Sequence, residues 1–193
     1  MNKHTFSMNK LYLLFSLCIS IALLGGCASI DLPKGTSKGY STYSIYKHSP
    51  NSVPDFSSKE DRTHELIKTA LRHEFSKHGL KESGSVEDAE LVISYLLVVQ
   101  DGATSTAIRD YYVNSGSEIL SKAHRRSFKK TKEYYTDKYV TGSLIVDIVD
   151  KKNNKLIYRD YVTRKMFDSL NAKEREQTIV EGVAEVTAEF FRK

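Results

Sequence analysis

The chain has 193 residues, 40% apolar and 27% charged, a globular composition with room for one domain and too polar for a polytopic membrane protein. Its 29 Lys and Arg outnumber 24 Asp and Glu, a formal charge of +5, and two cysteines are too few for a disulfide scaffold or a four-thiolate zinc site. What remains is a small, mildly basic protein with a single core.

Residues 1–26 contain Lys3 and Lys10 and no acid, and an apolar run of 14 residues, Leu11 to Leu24, follows the second lysine. Such a run is short for a helix that must span ~30 Å of hydrocarbon, and it suits the core of a signal peptide. Met8 is an alternative start that leaves Lys10 as the leader's only lysine. The run ends in Leu24-Gly25-Gly26-Cys27, which resembles the lipobox of bacterial lipoproteins. A buried core thiol or a plain secretory signal could also follow an apolar run, but charge, length, small residues and cysteine position agree on the lipobox.

The resemblance implies a diacylglycerol on the Cys27 thiol, cleavage after Gly26, and a second acylation, such as palmitate, on the new amino group. Cleavage would leave 167 residues, take the charge from +5 to +3 by removing Lys3 and Lys10, and remove Cys18, so that no free thiol remains. Each buried methylene adds ~0.8 kcal/mol to membrane binding, so two or three chains anchor a protein durably. Ala28 and Ser29 follow the cysteine. In lipoproteins of this kind an Asp there goes with inner-membrane retention, so the expected location is the outer membrane, facing the periplasm. Residues 27–38 read as acylated cysteine and tether, because ASIDLPKGTSK holds Pro, Gly and Ser without periodicity.

Residues 39–193 read as one domain. Gly39–Lys47 is rich in Tyr and β-branched residues and is a predicted strand. After Pro50 and Pro54, Ser58 and Asp61 offer a helix start, Leu66, Ile67, Ala70, Leu71 and Phe75 share one helical face, and Gly79 closes it. Glu90–Gln100 is a predicted strand apolar on both faces, with Leu91, Ile93, Tyr95, Leu97 and Val99 on one side and Val92, Leu96 and Val98 on the other. Tyr139–Asp150 and Lys155–Met166 flank Lys151-Lys152-Asn153-Asn154, a hairpin signal. Asn171 and Glu174 form a capping pair for a last helix with the stripe Ile179, Val180, Val183, Ala184, Val186, Thr187, Phe190 and Phe191. The order β-α-β-β-β-α predicts an α+β fold: a four-stranded mixed sheet, the first two strands parallel, the last two antiparallel, and two helices on one face.

Several segments resemble the DUF4136 family of bacterial envelope lipoproteins. These are the tyrosine-rich first strand, Lys77-His78-Gly79-Leu80, Asp88-Ala89-Glu90-Leu91-Val92-Ile93-Ser94-Tyr95, Thr141-Gly142-Ser143-Leu144-Ile145-Val146-Asp147-Ile148-Val149-Asp150, Lys155-Leu156-Ile157-Tyr158-Arg159 and the terminal helix. The family often places Trp in the first and last strands; this chain has none, and Tyr46 and Tyr158 stand there. The resemblance implies fold and envelope location, and no activity.

Catalytic motifs are lacking: the sequence holds no HExxH, GxSxG, Walker loop or GxGxxG. On the first helix His64 and His73 lie about 180° apart, and His64 and His78 are separated by roughly 21 Å of rise, so they read as solvated and not as metal ligands. Asp147 and Asp150, three apart on a strand, point to opposite faces and read as one solvent-facing acid and one turn acid. No metal or cofactor is implied.

The insertion 101–138 is long for a compact domain and is the strongest functional hint. Lys122, Arg125, Arg126, Lys129, Lys130 and Lys132 place six positive charges in eleven residues, interleaved with His124 and Phe128. They are candidates for contact with lipid headgroups or an anionic envelope polymer, against the alternative of a solvated loop. Nucleic acid is excluded as a partner by the export signal. The strand face of Val92, Leu96 and Val98 needs a cover, either the insertion or a partner, with the insertion favoured. The expected function is a non-catalytic, lipid-anchored binding or structural module that engages an envelope protein or an anionic envelope polymer through the insertion and the open sheet face; the alternative is an envelope hydrolase using acids near Asp101 and Asp110.

Overall fold

Alternation sets the architecture: a strand apolar on both sides must be sandwiched. A computed structural model describes residues 32–46, 58–98, 103–104, 112–114, 116–128, 138–139, 142–164 and 170–192. The leader, Cys27 and residues to Asp31 lie outside the described residues. In chain order the elements are β1 (Thr42–Ile45), α1 (Ser58–Lys77), β2 (Lys81–Glu82), β3 (Leu91–Val98), β4 (Ala103–Thr104), α2 (Glu118–Phe128), β5 (Lys138–Tyr139), β6 (Ser143–Asp150), β7 (Lys155–Thr163) and α3 (Ala172–Thr187). Among them no helix is long and apolar enough to cross a membrane.

The fold is α+β, with a five-stranded mixed sheet in the order β2-β1-β3-β6-β7 in place of the four strands expected. β1 lies parallel to β2 and β3, while β3, β6 and β7 are antiparallel neighbours, as the crossover and hairpin predict. The additional strand is β2. Its two residues are exposed and carry no apolar alternation, so only backbone pairing defines it: Lys81 N–H donates to the Ser41 carbonyl and Ser83 N–H to that of Tyr43.

Local signals explain the helix ends. Gly79, at φ +86°, closes α1 in a Schellman motif, with Leu80 N–H donating to the Phe75 carbonyl at 3.1 Å and Gly79 N–H to that of Ser76 at 2.9 Å. Asn171 caps α3 by accepting from Lys173 and Glu174 N–H, both at 3.0 Å, and Glu174 accepts from Asn171 N–H at 2.9 Å. At the hairpin, Asp150 Oδ1 accepts from Asn153 N–H at 3.1 Å, and Asn154 takes φ +46°. Asp150 is thus the turn acid expected.

Two cores result. On one face α1 and α3 bury Leu71, Phe75, Val183 and Phe190 against Tyr43, Leu91, Ile93, Val146, Ile148 and Tyr158. On the other face α2, from the insertion, buries Leu120 and Ala123 with Tyr112 against Val92, Val98, Ile145, Val149 and Leu156. The insertion is therefore the cover that the central strand demanded. Its ends are pinned by the pairing of Ala103 with Tyr139 and Thr104 with Lys138. One residue of the expected α3 stripe departs: Val180 lies 44% exposed, while Gly182, near Val162, takes a place in the contact.

The domain also begins earlier than Gly39. Residues 33–37 of the expected tether lie against β7 and the segment that follows α3, with Arg159 N–H donating to the Pro33 carbonyl at 2.9 Å, Gly35 N–H to Ile157 at 2.7 Å and Ser37 N–H to Phe190 at 2.8 Å. Lys34 pairs with Asp160 at 2.5 Å. Backbone pairing to an open sheet edge needs no apolar pattern, so composition read this segment as linker. A Cβ on Gly35 would stand 2.7 Å from the Ile157 carbonyl oxygen. Gly35→Ala should therefore lower stability by about 1–3 kcal/mol, measured by urea unfolding, whereas Gly84→Ala, with open space around it, should cost well under 1 kcal/mol.

Candidate functional site

α2 has two chemically different faces. Leu120, Ala123 and His124 point into the sheet, and Lys122, Arg125 and Arg126 are exposed. This is the three-and-four spacing of a helix with one buried stripe. Lys122 is ion-paired with Glu118 at 2.5 Å. The Arg125 guanidinium donates twice to Ser121 Oγ, at 3.1 and 2.8 Å, and Arg126 Nη1 donates to the Asn153 carbonyl in the β6–β7 turn. Of the six predicted cationic residues the structure thus brings three onto one outer face; Lys129, Lys130 and Lys132 lie outside the described residues, as do Asp101 and Asp110. His124, interleaved with these cations in the sequence, is fully buried.

His124 belongs to a second cluster beneath the helix. Asp147, read from sequence as solvent-facing, has no exposed surface and is held bidentately by Arg159, with Nε to Oδ1 at 2.6 Å and Nη2 to Oδ2 at 2.7 Å. Asp147 follows the alternation of Ile145 and Val149, so it points into the second core rather than into water. His124 reaches the pair from α2, its Nε2 standing 3.2 Å from Asp147 Oδ2 and its Nδ1 3.4 Å from Arg159 Nη2. Tyr112 stacks on the imidazole at 4.5 Å. Ser94, directly opposite Asp147 on β3, is also buried, so a polar row Ser94, Asp147, Arg159 crosses three strands.

Burial drives the Asp147 carboxyl upward, but the Arg159 charge and its hydrogen bonds, with help from His124, outweigh it and hold the carboxyl at about 2. Burial lowers the basicity of His124, Asp147 opposes that fall, and Arg159 adds to it. The imidazole is therefore stored neutral against an ion pair, an arrangement suited to holding α2 on the sheet.

The α1 histidines differ in role. His64 Nδ1 lies 3.1 Å from the Tyr95 hydroxyl, His73 is exposed, and His78 stacks on Phe191 at 4.0 Å while contacting Glu74 at 3.0 Å. Among the described residues no group of three or more His, Cys, Asp or Glu could hold a metal ion. One open cleft of about 400 Å³ lies at the β1, β3 and β6 ends, lined by Gly39, Tyr40, Ala89, Glu90, Asp150, Lys151 and Lys152. Its carboxylates are engaged: Glu90 Oε2 accepts from Ser41 and Thr42, and Asp150 Oδ2 accepts from Tyr40 at 3.1 Å.

The architecture is that of an α+β domain with a mixed sheet covered on both faces and a buried Asp–Arg pair. The chain belongs to the family described as Domain of unknown function (DUF4136), which matches residues 33–190. Its fold is similar to that of a DUF4136 family protein, BT2437, from Bacteroides thetaiotaomicron VPI-5482, with a TM-score of 0.50 and 15% identity over 84% of this chain and 96% of that chain. It is also similar to the PelC dodecamer from Paraburkholderia phytofirmans, with a TM-score of 0.41 and 11% identity over 84% of this chain and 92% of that one, and to a variant of the same dodecamer at 0.44, 11%, 84% and 96%. No curated protein matches the chain.

The buried cluster fixes the sign of the pH response. His124, ordinarily at 6.5, is lowered in the folded chain, so its contribution to stability is complete above about pH 6.5 and is lost as the pH falls. Asp147, at about 2 against 3.8, contributes above about pH 4 and loses that contribution as the pH falls toward 2. Urea unfolding between pH 8 and 5 should show stability declining in the parent chain and a flatter profile in His124→Gln; an equal slope in both would refute a buried neutral imidazole. Removing one member of the ion pair, as in Asp147→Ala, should cost ~3–5 kcal/mol.

Proposed function

We propose that the chain is a lipid-anchored lipoprotein of the bacterial cell envelope, held at the outer membrane through acylated Cys27 and facing the periplasm. Its domain acts as a non-catalytic module that binds an anionic envelope polymer. The anchor reading rests on Leu24-Gly25-Gly26-Cys27 after the charged and apolar leader. The observation that carries the binding reading is the outer face of α2, where Arg125 and Arg126 are exposed on a helix whose inner face is locked into the core. Cations on a packed helix keep their spacing, so a polyanion loses less conformational freedom on meeting them than on meeting a solvated loop. A non-catalytic role is supported by the burial of His124 and Asp147, which puts the one described acid–base neighbourhood of this face out of reach of a polymer.

Two measurements test the two halves separately. Mass spectrometry of native protein should find a chain beginning at Cys27 with a thioether-linked diacylglycerol and an amide-linked acyl group; an uncut, unmodified leader would overturn the anchor. Charge reversal at Arg125, Arg126, Lys129 and Lys130 should weaken retention on anionic envelope components in a salt-dependent pull-down, and undiminished retention would reject the binding reading.

A further inference from the structure

We infer that the seat of His124 is an acid-sensitive latch: a proton on its imidazole releases α2 from the sheet while the rest of the domain stays folded. This goes beyond the binding reading above, and no anion takes part in it.

The latch is built from hydrogen-bond polarity. A guanidinium has hydrogens to give and no lone pair to accept one, and Arg159 Nη2 stands 3.4 Å from His124 Nδ1. Nδ1 is therefore the acceptor there, and the ring hydrogen belongs on Nε2, which faces Asp147 Oδ2 at 3.2 Å. One tautomer of the neutral ring suits both neighbours. Protonation sets N–H against N–H at Nδ1 and places a second cation beside the guanidinium, in a site where imidazole, carboxylate and guanidinium have no exposed surface. Asp147 opposes this only in part, because Arg159 already holds both of its oxygens, at 2.6 and 2.7 Å. Among the described residues the titratable or charged groups around the ring are Asp147 from β6, Arg159 from β7 and Tyr112 from the segment before α2, stacked on it at 4.5 Å. Tyr46 packs at the edge of the same core, β3 adds the uncharged Ser94 to the row, and on α2 itself Lys122, Arg125 and Arg126 are exposed.

α2 is also the element that can let go without the others. It has eleven residues, too few to persist as a helix away from its support. Of the buried residues in the second core the insertion supplies three, Tyr112, Leu120 and Ala123, whereas α1 and α3 bring Leu71, Phe75, Val183 and Phe190, among others, to the first. An element with little buried apolar surface opens at a lower free energy than the whole domain. Once α2 lifts, His124 meets water and recovers its ordinary value of 6.5, and the Asp147–Arg159 pair gains solvation. The seated ring is harder to protonate than the released one, so seating is fully supported above about pH 6.5 and weakens as the pH falls. Arg125 and Arg126 then hold their fixed spacing only on the neutral side of that value.

The test is hydrogen–deuterium exchange of the full chain in dodecyl maltoside micelles at pH 7.5, 6.5 and 5.5, each amide rate being divided by its intrinsic rate at that pH. Protection of α2 should fall by up to about tenfold between pH 7.5 and 5.5, while β6 and α3 keep theirs. Glutamine offers one N–H donor group and one carbonyl acceptor and takes up no proton in this range, so His124→Gln should keep α2 equally protected at every pH. Protection of α2 that is independent of pH in the parent chain would overturn the latch, as would an equal fall in His124→Gln. Loss of protection in β6 and α3 together with α2 would overturn the release of α2 alone. The parent chain decides the matter even if the variant fails to seat α2: followed by NMR, the His124 ring protons should titrate below 6.5, and titration at or above 6.5 would overturn the latch.

Discussion

The constraint on which the structure depends is that β3 and β6 are apolar on both faces. β6 is buried along its whole length and β3 nearly so. A sheet of this kind is stable only when both sides are covered, and the two helices at the ends of the domain can cover one. The second cover has to come from the insertion, which makes α2 a structural element before it is anything else. This is why the insertion can carry function without being a loose loop: its inner face is committed to Ile145, Val149 and Leu156, and only its outer face is available for recognition.

Within that second core the Asp147–Arg159 pair is an exception to apolar packing. A buried pair contributes little net stability over hydrophobic residues of the same volume, but loss of one partner leaves an uncompensated charge. It therefore acts as a specificity device. The carboxylate is held bidentately by the guanidinium, and His124 reaches it from α2, stacked with the Tyr112 ring. Apolar contacts alone would tolerate sliding of an eleven-residue helix over a flat sheet; a directional polar contact at its centre fixes the register. The same register sets where Arg125 and Arg126 emerge and places Arg126 on the turn.

The hairpin, both capped helix ends and the two faces of β3 were legible because each is a local rule: alternation, a turn signal, a glycine at positive φ, an Asn–Glu capping box. The five-strand count was not legible, since β2 is two exposed residues held by backbone bonds. The ion pair was hidden by one residue. Counting back from the turn with Asp150 opposite Lys155 puts Tyr158 opposite Asp147; a bulge between Ile148 and Val149 shifts the register so that Arg159 takes that place. The available signal was a charged residue, Asp147, at an inward parity between Ile145 and Val149, which demands a buried counter-charge somewhere nearby. The basic run was visible as composition, but its division into Lys122, Arg125 and Arg126 outside and His124 inside required knowing which face of α2 meets the sheet.

That division bears on the proposed binding of a polyanion by a domain of modest net charge. A net charge of a few units spread evenly steers nothing over a Debye length of about 8 Å at physiological salt. What matters is local imbalance, and two acids of the domain are engaged within the fold, Asp147 on Arg159 and Asp150 on the turn. Each of those carboxylates stabilises a strand or a turn. A substitution at one of these acids would loosen the fold, so variants meant to separate stability from recognition belong on the exposed cations and not on the acids beneath them.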